Sequence, residues 1–212
     1  MIDVIPAILE KDWTEIERKI KLVAPLVGSI QVDFADNTIV PNATFLTIES
    51  FAPLIKNYPT VAFEAHLMVA NPHKLTRPLV QTGFKRIIAH VESQDPRLFL
   101  DEAQYESVEV GIAIDGPTEI EQVEPFLEEV DFVLVMTIEA GFGGQPFLPE
   151  TVEKIKAIHS NYPDLPIEVD GSINDATAKL VKDAGATRLV CGSFLFKDPA
   201  HIAAALEQIK NA

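Results

Sequence analysis

The chain has 212 residues, 47% of them hydrophobic, with a single cysteine and a formal net charge of −15. That length is enough for one domain with a large buried core, and the charge disfavours nucleic acid and anionic membrane as partners, because both would be repelled. The lone Cys191 excludes an internal disulfide framework, and the five histidines show no zinc-finger spacing.

No apolar run reaches the roughly 18 residues that a membrane span needs. The opening Met1-Ile2-Asp3-Val4-Ile5-Pro6 has no basic stretch leading into a long apolar one, so no secretory signal is expected. A cytoplasmic enzyme or binding domain fits. Its general field will not attract an anionic ligand, so local donors must hold one, such as backbone N–H groups at helix starts.

Short apolar runs alternate with longer segments of helical period. Strands are predicted over Val4–Leu9, Ser29–Asp33, Ala62–Met68, Arg86–His90, Val108–Ile114, Phe132–Met136, Ile167–Asp170 and Arg188–Cys191. Runs such as Phe132-Val133-Leu134-Val135-Met136 suit strands covered on both faces. Between the strands, Thr14 to Leu26 carries Ile16, Ile20 and Val23 at helical spacing. Asn71-Pro72 reads as a cap with a first-turn proline, and Pro117 and Pro149 mark similar starts. Asn174 or Asp175 caps a helix running to Ala184, which Gly185 ends; Gly83 plays the same part before the fourth strand. Eight strand–helix units of roughly 25 residues use the whole chain, residues 1–212, as one closed parallel (β/α)8 barrel. An open doubly wound sheet would more often carry a glycine-rich loop after its first strand, and none stands there.

In such a barrel the site lies at the C-terminal ends of the strands. Asp33 ends the second predicted strand and Asp170 the seventh, three steps apart around a ring of eight. Either aspartate alone reads better as a cap for the next helix or turn. As an opposed pair they suit removal of a proton from one face of a carbon and its return to the other. His66 lies at the end of the third strand, where Asp33, His66 and Asp170 can converge on a divalent metal that polarises a carbonyl and stabilises an enediolate. Gly141-Phe142-Gly143-Gly144-Gln145, Gly171-Ser172 and Gly192-Ser193 follow three consecutive strands, and phosphate sites of this architecture commonly sit there. Met68 and Met136 end strands and are placed beside a ligand, with Glu139 near the same pocket. His90 ends the fourth strand and is assigned to core packing. His73, His159 and His201 fall on helices as surface residues. Cys191 reads as a buried small hydrophobe, and Asp36 either lines the mouth or shapes its loop.

These residues in this order resemble the ribulose-phosphate 3-epimerase family over nearly the whole chain. The resemblance is carried by Pro6-Ala7-Ile8-Leu9, Val32-Asp33-Phe34-Ala35-Asp36, Val40-Pro41-Asn42, His66-Leu67-Met68-Val69, Met136-Thr137, the glycine segment with Gln145, Glu168-Val169-Asp170-Gly171 and Gly192-Ser193. It implies metal-assisted, two-base epimerisation at C3 of a phosphorylated ketopentose. Asp33 and Asp170 would be the acid/base pair and, with His66, ligands for zinc, iron, manganese or cobalt. The phosphate would be held by Gly141, Gly143, Gly144, Gly171, Ser172, Gly192 and Ser193. The family commonly assembles, so a homo-oligomer is also implied.

The departures concentrate at the metal end. Gln31 stands where the family has a ligating histidine, and an amide oxygen is the weaker ligand. Ala7 replaces a serine, Glu10 the usual polar residue after Leu9, Ala35 a methionine, Asn37 a glycine and Glu139-Ala140 an asparagine-proline. A binding protein without turnover is therefore the runner-up. A lyase or decarboxylase would need a strand-end lysine, and neither Lys85 nor Lys197 lies at one.

Overall fold

The computed structural model describes residues 2–212. Eight parallel strands follow in chain order around a closed barrel: β1 (Asp3–Ile8), β2 (Ser29–Ala35), β3 (Ala62–Met68), β4 (Arg86–His90), β5 (Glu109–Ile114), β6 (Phe132–Met136), β7 (Ile167–Asp170) and β8 (Arg188–Cys191). β1 pairs with both β2 and β8, which closes the ring. The predicted fold stands. Five strand ranges agree residue for residue, whereas β1 runs one residue earlier, β5 begins one later and β2 continues two residues past Asp33 to Ala35.

Successive side chains of a strand point to opposite faces, and closure turns one face of every strand onto a shared axis. Ile30, Val32 and Phe34 of β2 pack outward into the large core under the helices. Gln31, Asp33 and Ala35 point inward. The inner wall is apolar at mid-height, with Ile5, Ile88, Ala113, Leu134 and Val190. Its floor is charged. Arg86 reaches Glu64 at 3.0 Å and Glu109 at 2.8 Å, while Arg188 pairs with Glu109 and lies 4.6 Å from the Phe132 ring centroid. Burial pushes the Glu64 carboxyl up to about 7 against the pull of Arg86.

The outer layer consists of α1 (Trp13–Val23), α2 (Phe51–Lys56), α3 (His73–Thr82), α4 (Pro96–Ala103), α5 (Thr151–Asn161), α6 (Asp175–Ala184), α7 (Ser193–Phe196) and α8 (Ile202–Asn211). Asp12 caps α1, accepting from the Glu15 amide, and its buried stripe is Ile16, Ile20 and Val23 as the spacing predicts. Asn174 caps α6 in a full capping box, and Gly185 ends it at φ 119°. No Asn71 cap forms; Pro72 directly precedes α3 without a side-chain bond.

The helix expected after Pro117 is absent. Two 3-10 turns, Ile120–Gln122 and Glu124–Phe126, span β5 to β6. Pro125 lies inside the segment, where it removes a backbone donor and its ring blocks continuation of a helix. Lys154 of α5 braces this stretch by donating to the carbonyls of Asp115 and Gly116, each at 3.0 Å. His73 starts α3 half-buried, His159 is exposed on α5, and His201 precedes α8 instead of lying on a helix.

Removing Arg86 leaves Glu64 buried and unpaired. Arg86→Met is expected to cost about 3–5 kcal/mol of unfolding free energy in denaturant titrations, and the double variant with Glu64→Leu to recover most of it.

Candidate active site

Alternation delivers Asp33 and His66 to the barrel axis side by side, since they are register partners across β2 and β3. Asp170 arrives from β7. One ligand atom from each of Asp33, His66 and Asp170 lies within 4.8 Å of the others. At their centre sits the Gln31 amide. Its Nε2 donates to Asp33 Oδ1 at 2.8 Å and to Asp170 Oδ2 at 2.7 Å, and lies 3.4 Å from His66 Nδ1. The second oxygen of each carboxylate receives no hydrogen bond from a described side chain.

The cluster is almost dry, and that sets its charge. Burial lifts the Asp33 carboxyl to about 7, with the Gln31 hydrogen bond pulling it back down. Burial, then the neighbouring Asp33 charge, lifts Asp170 to about 7. Burial holds the His66 imidazolium down to about 3, so the ring is neutral.

Behind His66 runs a chain whose middle member, His90, the sequence assigns to packing. His66 Nε2 lies 2.7 Å from His90 Nε2, the rings stack at 4.9 Å, and His90 Nδ1 lies 3.0 Å from Glu92. The Glu92 carboxyl is pushed up by burial but held down to about 2 overall by the bond from His90. Glu92 is absent from the residues picked out by sequence; its signal is a carboxylate two residues past a strand-end histidine. An ionised Glu92 accepts the His90 Nδ1 proton. When the proton of the neutral His66 ring sits on Nε2, toward His90 Nε2, the lone pair is left on His66 Nδ1. That nitrogen faces Asp33 Oδ1 at 2.9 Å. Two acceptors so close call for a proton or a cation between them, and a backing hydrogen bond of this kind is how ligating imidazoles are usually oriented.

A divalent cation therefore fits these residues. Gln31 fits as well: its Oε1 is buried without a partner, and a half-turn of the amide exchanges that orphaned oxygen with Nε2. The two atoms differ little in size, so both orientations suit the space.

Above the cluster lies a cavity of about 290 Å³. It is lined by Asp33 and Asp170, by Met136, and by every predicted phosphate residue: Gly141, Gly143, Gly144, Gly171, Ser172, Gly192 and Ser193. Four other predicted residues lie elsewhere. His66 and Gln31 are beneath the floor, and Met68 is sealed within the inner wall. The Glu139 side chain is exposed and absent from the lining, while its carbonyl accepts from Gln145. Asp36 shapes its own loop through the Thr38 amide at 3.1 Å.

The glycine walls are held from behind. Asn42 donates to the Gly141 carbonyl at 2.7 Å, Thr137 bonds the end of β7 at the Asp170 carbonyl, and the Ser172 hydroxyl donates to the Gln145 carbonyl. Gly171 sits at φ 122°, and a Cβ there would lie 2.5 Å from Ile138 Cγ1. Ser172 follows at φ 53°, a left-handed conformation rare for serine. By contrast, a Cβ on Gly143 would meet nothing within 4 Å. Asn37 has a left-handed backbone at φ 63°, a conformation asparagine tolerates better than most residues.

Fold and site together define a (β/α)8 barrel with a pair of carboxylates at the cavity beyond its strand ends. Residues 3–196 match the model of the ribulose-phosphate 3 epimerase family, and the chain belongs to that family. It is 34% identical over 216 residues to the cytoplasmic isoform of ribulose-phosphate 3-epimerase from Oryza sativa subsp. japonica, an alignment covering 96% of this chain and 92% of that one. It is 32% identical over 206 residues to the ribulose-phosphate 3-epimerase of Bacillus subtilis, covering 92% and 93%. Among solved structures, a 3-hexulose-6-phosphate synthase superposes with a TM-score of 0.77 at 16% identity over 99% of both chains. KGPDC from Streptococcus mutans gives 0.75 at 13% identity, over 100% of this chain and 96% of that one. At such identities the likeness is one of fold.

The two kinds of glycine separate by experiment. Gly171→Ala is expected to lower stability by at least about 1–3 kcal/mol, because the left-handed backbone and Ile138 both oppose a methyl group. Gly143→Ala should stay within about 0.5 kcal/mol of the parent. Thermal melts of the two variants check this.

Proposed function

We propose that the chain is a pentose-phosphate epimerase that inverts C3 of a phosphorylated ketose of the ribulose 5-phosphate/xylulose 5-phosphate type. One observation carries the reading beyond family membership. Asp33 and Asp170, each with one carboxylate oxygen left free by Gln31, both line a single cavity that the three glycine segments also line.

The sugar phosphate lies with its anionic end among Gly141, Gly143, Gly144, Gly171, Ser172, Gly192 and Ser193. Its C3 lies between the two acids. One carboxylate takes the C3 proton from one face while the other, protonated, delivers a proton to the opposite face. The acids need opposite protonation states at the start, and burial together with their mutual repulsion favours one shared proton. Asp33, His66 and Asp170, with Gln31 turned to offer Oε1, would hold a divalent cation, which would supply positive charge against the negative charge that develops on the substrate. Met136 packs against the sugar. Buried walls around the cluster keep water from competing for the transferred proton.

Binding without turnover is the less favoured reading, because both acids are kept and both reach the cavity. A lyase-type mechanism lacks a strand-end lysine. As for compartment, the rice relative is named a cytoplasmic isoform, and no helix among the described residues is long and apolar enough to cross a membrane. We assign this chain to the cytoplasm on that basis.

Ribulose 5-phosphate incubated in deuterated water with added divalent metal is expected to gain deuterium at C3 and to form the epimer. Asp33→Asn and Asp170→Asn should each slow epimerisation on the order of a hundred- to ten-thousand-fold. Each variant should still exchange the C3 hydrogen of one epimer and not of the other. Loss of exchange from both epimers in both variants would contradict the two-base assignment. Gln31→His should raise metal content and affinity, read by metal analysis of the purified protein and by calorimetry.

A further inference from the structure

Among the described residues lining the cavity, one is cationic, and it comes from no strand end. Lys19 stands just past the middle of α1, yet its side chain reaches the mouth beside Gly192, Ser193, Gly171 and Ser172. The topology explains the reach. β1 pairs with β8, so the helix after β1 lies against the segment that follows β8, and the Lys19 ammonium sits 4.5 Å from the ring centroid of Phe196 in α7. On its other side the ammonium pairs with Glu10 at 2.6 Å. Both side chains are largely buried, at 16% and 27% exposure.

This arrangement costs something unless it is used. A lysine ammonium is strongly hydrated, and its long stem loses rotamer freedom when it is held in one place. Here it is laid down between an aromatic face and one carboxylate, over a cavity whose walls otherwise offer only neutral groups and two acids. An ammonium has three donors. Glu10 takes one, and the ring face takes none as a directed hydrogen bond. The remaining donors have the cavity in front of them. In a chain of net charge −15, a dianion that enters this cavity meets repulsion from Asp33, Asp170 and the protein at large. Neutral backbone donors must overcome that repulsion unless a cation helps.

We propose that Lys19 is a phosphate-recognition residue of this chain: its ammonium, laid against the Phe196 ring and shared with Glu10, contacts the phosphate dianion of the sugar phosphate. The proposal rests on the phosphate end of the cavity as assigned under the proposed function, and it adds a charged contact from a helix to a site otherwise made of glycine turns. Charge-assisted hydrogen bonds of this kind are about twice as strong as neutral ones. The contact also sets specificity, because it rewards a phosphorylated ligand and does nothing for the free sugar.

The test measures binding without requiring turnover. Inorganic phosphate is titrated into the intact protein and into Lys19→Met, Lys19→Arg and Glu10→Gln, with calorimetry as the readout and thermal melts as the folding check. Lys19→Met keeps the apolar stem against Phe196. It is expected to weaken phosphate binding on the order of tenfold or more and to flatten its salt dependence, while Lys19→Arg restores most of the affinity. Glu10→Gln removes a carboxylate from beside the dianion and should tighten phosphate binding. In steady-state assays Lys19→Met should raise KM for the sugar phosphate far more than it lowers kcat. Equal phosphate affinity in the parent and Lys19→Met overturns the proposal. Should Lys19→Met fail to fold, unchanged or weaker phosphate binding in Glu10→Gln overturns it instead. Lys19-dependent phosphate binding with no deuterium exchange at C3 would sink the epimerase reading and leave this one standing; exchange at C3 with Lys19-independent phosphate binding would do the reverse.

Discussion

Gln31 gives one amide hydrogen to Asp33 and the other to Asp170, and so ties β2 to β7 across the inside of the barrel, although the two strands are not neighbours in the sheet. Two carboxylates this close in a buried site repel each other and resist ionisation. The bridging amide offsets part of that repulsion by hydrogen bonding to the charged forms of both. It also decides which oxygens are left over. Both acids line the cavity, and the proposed proton transfers use the oxygens left over. Removal of the amide would allow the acids to separate or to share a proton directly, and the His66–His90–Glu92 chain would lose the floor on which it converges.

Closure of the strand ring makes such a bridge geometrically available. In an open sheet, inward-facing residues of β2 and β7 would stand far apart. In the barrel the same alternation that sends Ile30, Val32 and Phe34 toward the helices sends Gln31 and Asp33 toward Asp170. The charged floor obeys the same rule, since Glu64 lies two residues before His66 and Glu168 two before Asp170. The barrel therefore stacks two polar clusters of different kinds along one axis with an apolar band between them. The lower carries the guanidinium groups of Arg86 and Arg188, yet burial still lifts Glu64 to about 7 and Glu168 well above the usual carboxylate range. The upper has no arginine, and there the Gln31 amide bonds both acids.

Much of this is legible in the sequence, because a closed parallel barrel imposes few choices. Apolar runs such as Phe132–Met136 mark five strands to the residue, and the capping signals at Asn174 and Gly185 locate α6. The acids, the histidine and the glycine segments stand out as strand-end residues, and the cavity gathers the glycines with both acids. Sequence reading ends β2 too early because a charged residue normally stops a buried strand; inside a barrel Asp33 points at the axis and the strand continues. The helix after Pro117 is lost to Pro125. Burial of His90 supports its assignment to packing, but its bond to His66 depends on how two strands register. Lys19 carries no local signal at all. Its place at the mouth follows from β1 lying next to β8, a neighbourhood that exists only once the ring has closed.

The orphaned oxygen of Gln31 bears on how the protein comes to maturity. A pocket built wholly of charged and imidazole ligands tends to make assembly of the chain wait on its metal. Here a neutral side chain already spans the acids with two hydrogen bonds, at 2.8 and 2.7 Å, so the polypeptide itself holds the cluster together and its compact state does not depend on a cation to join β2 to β7.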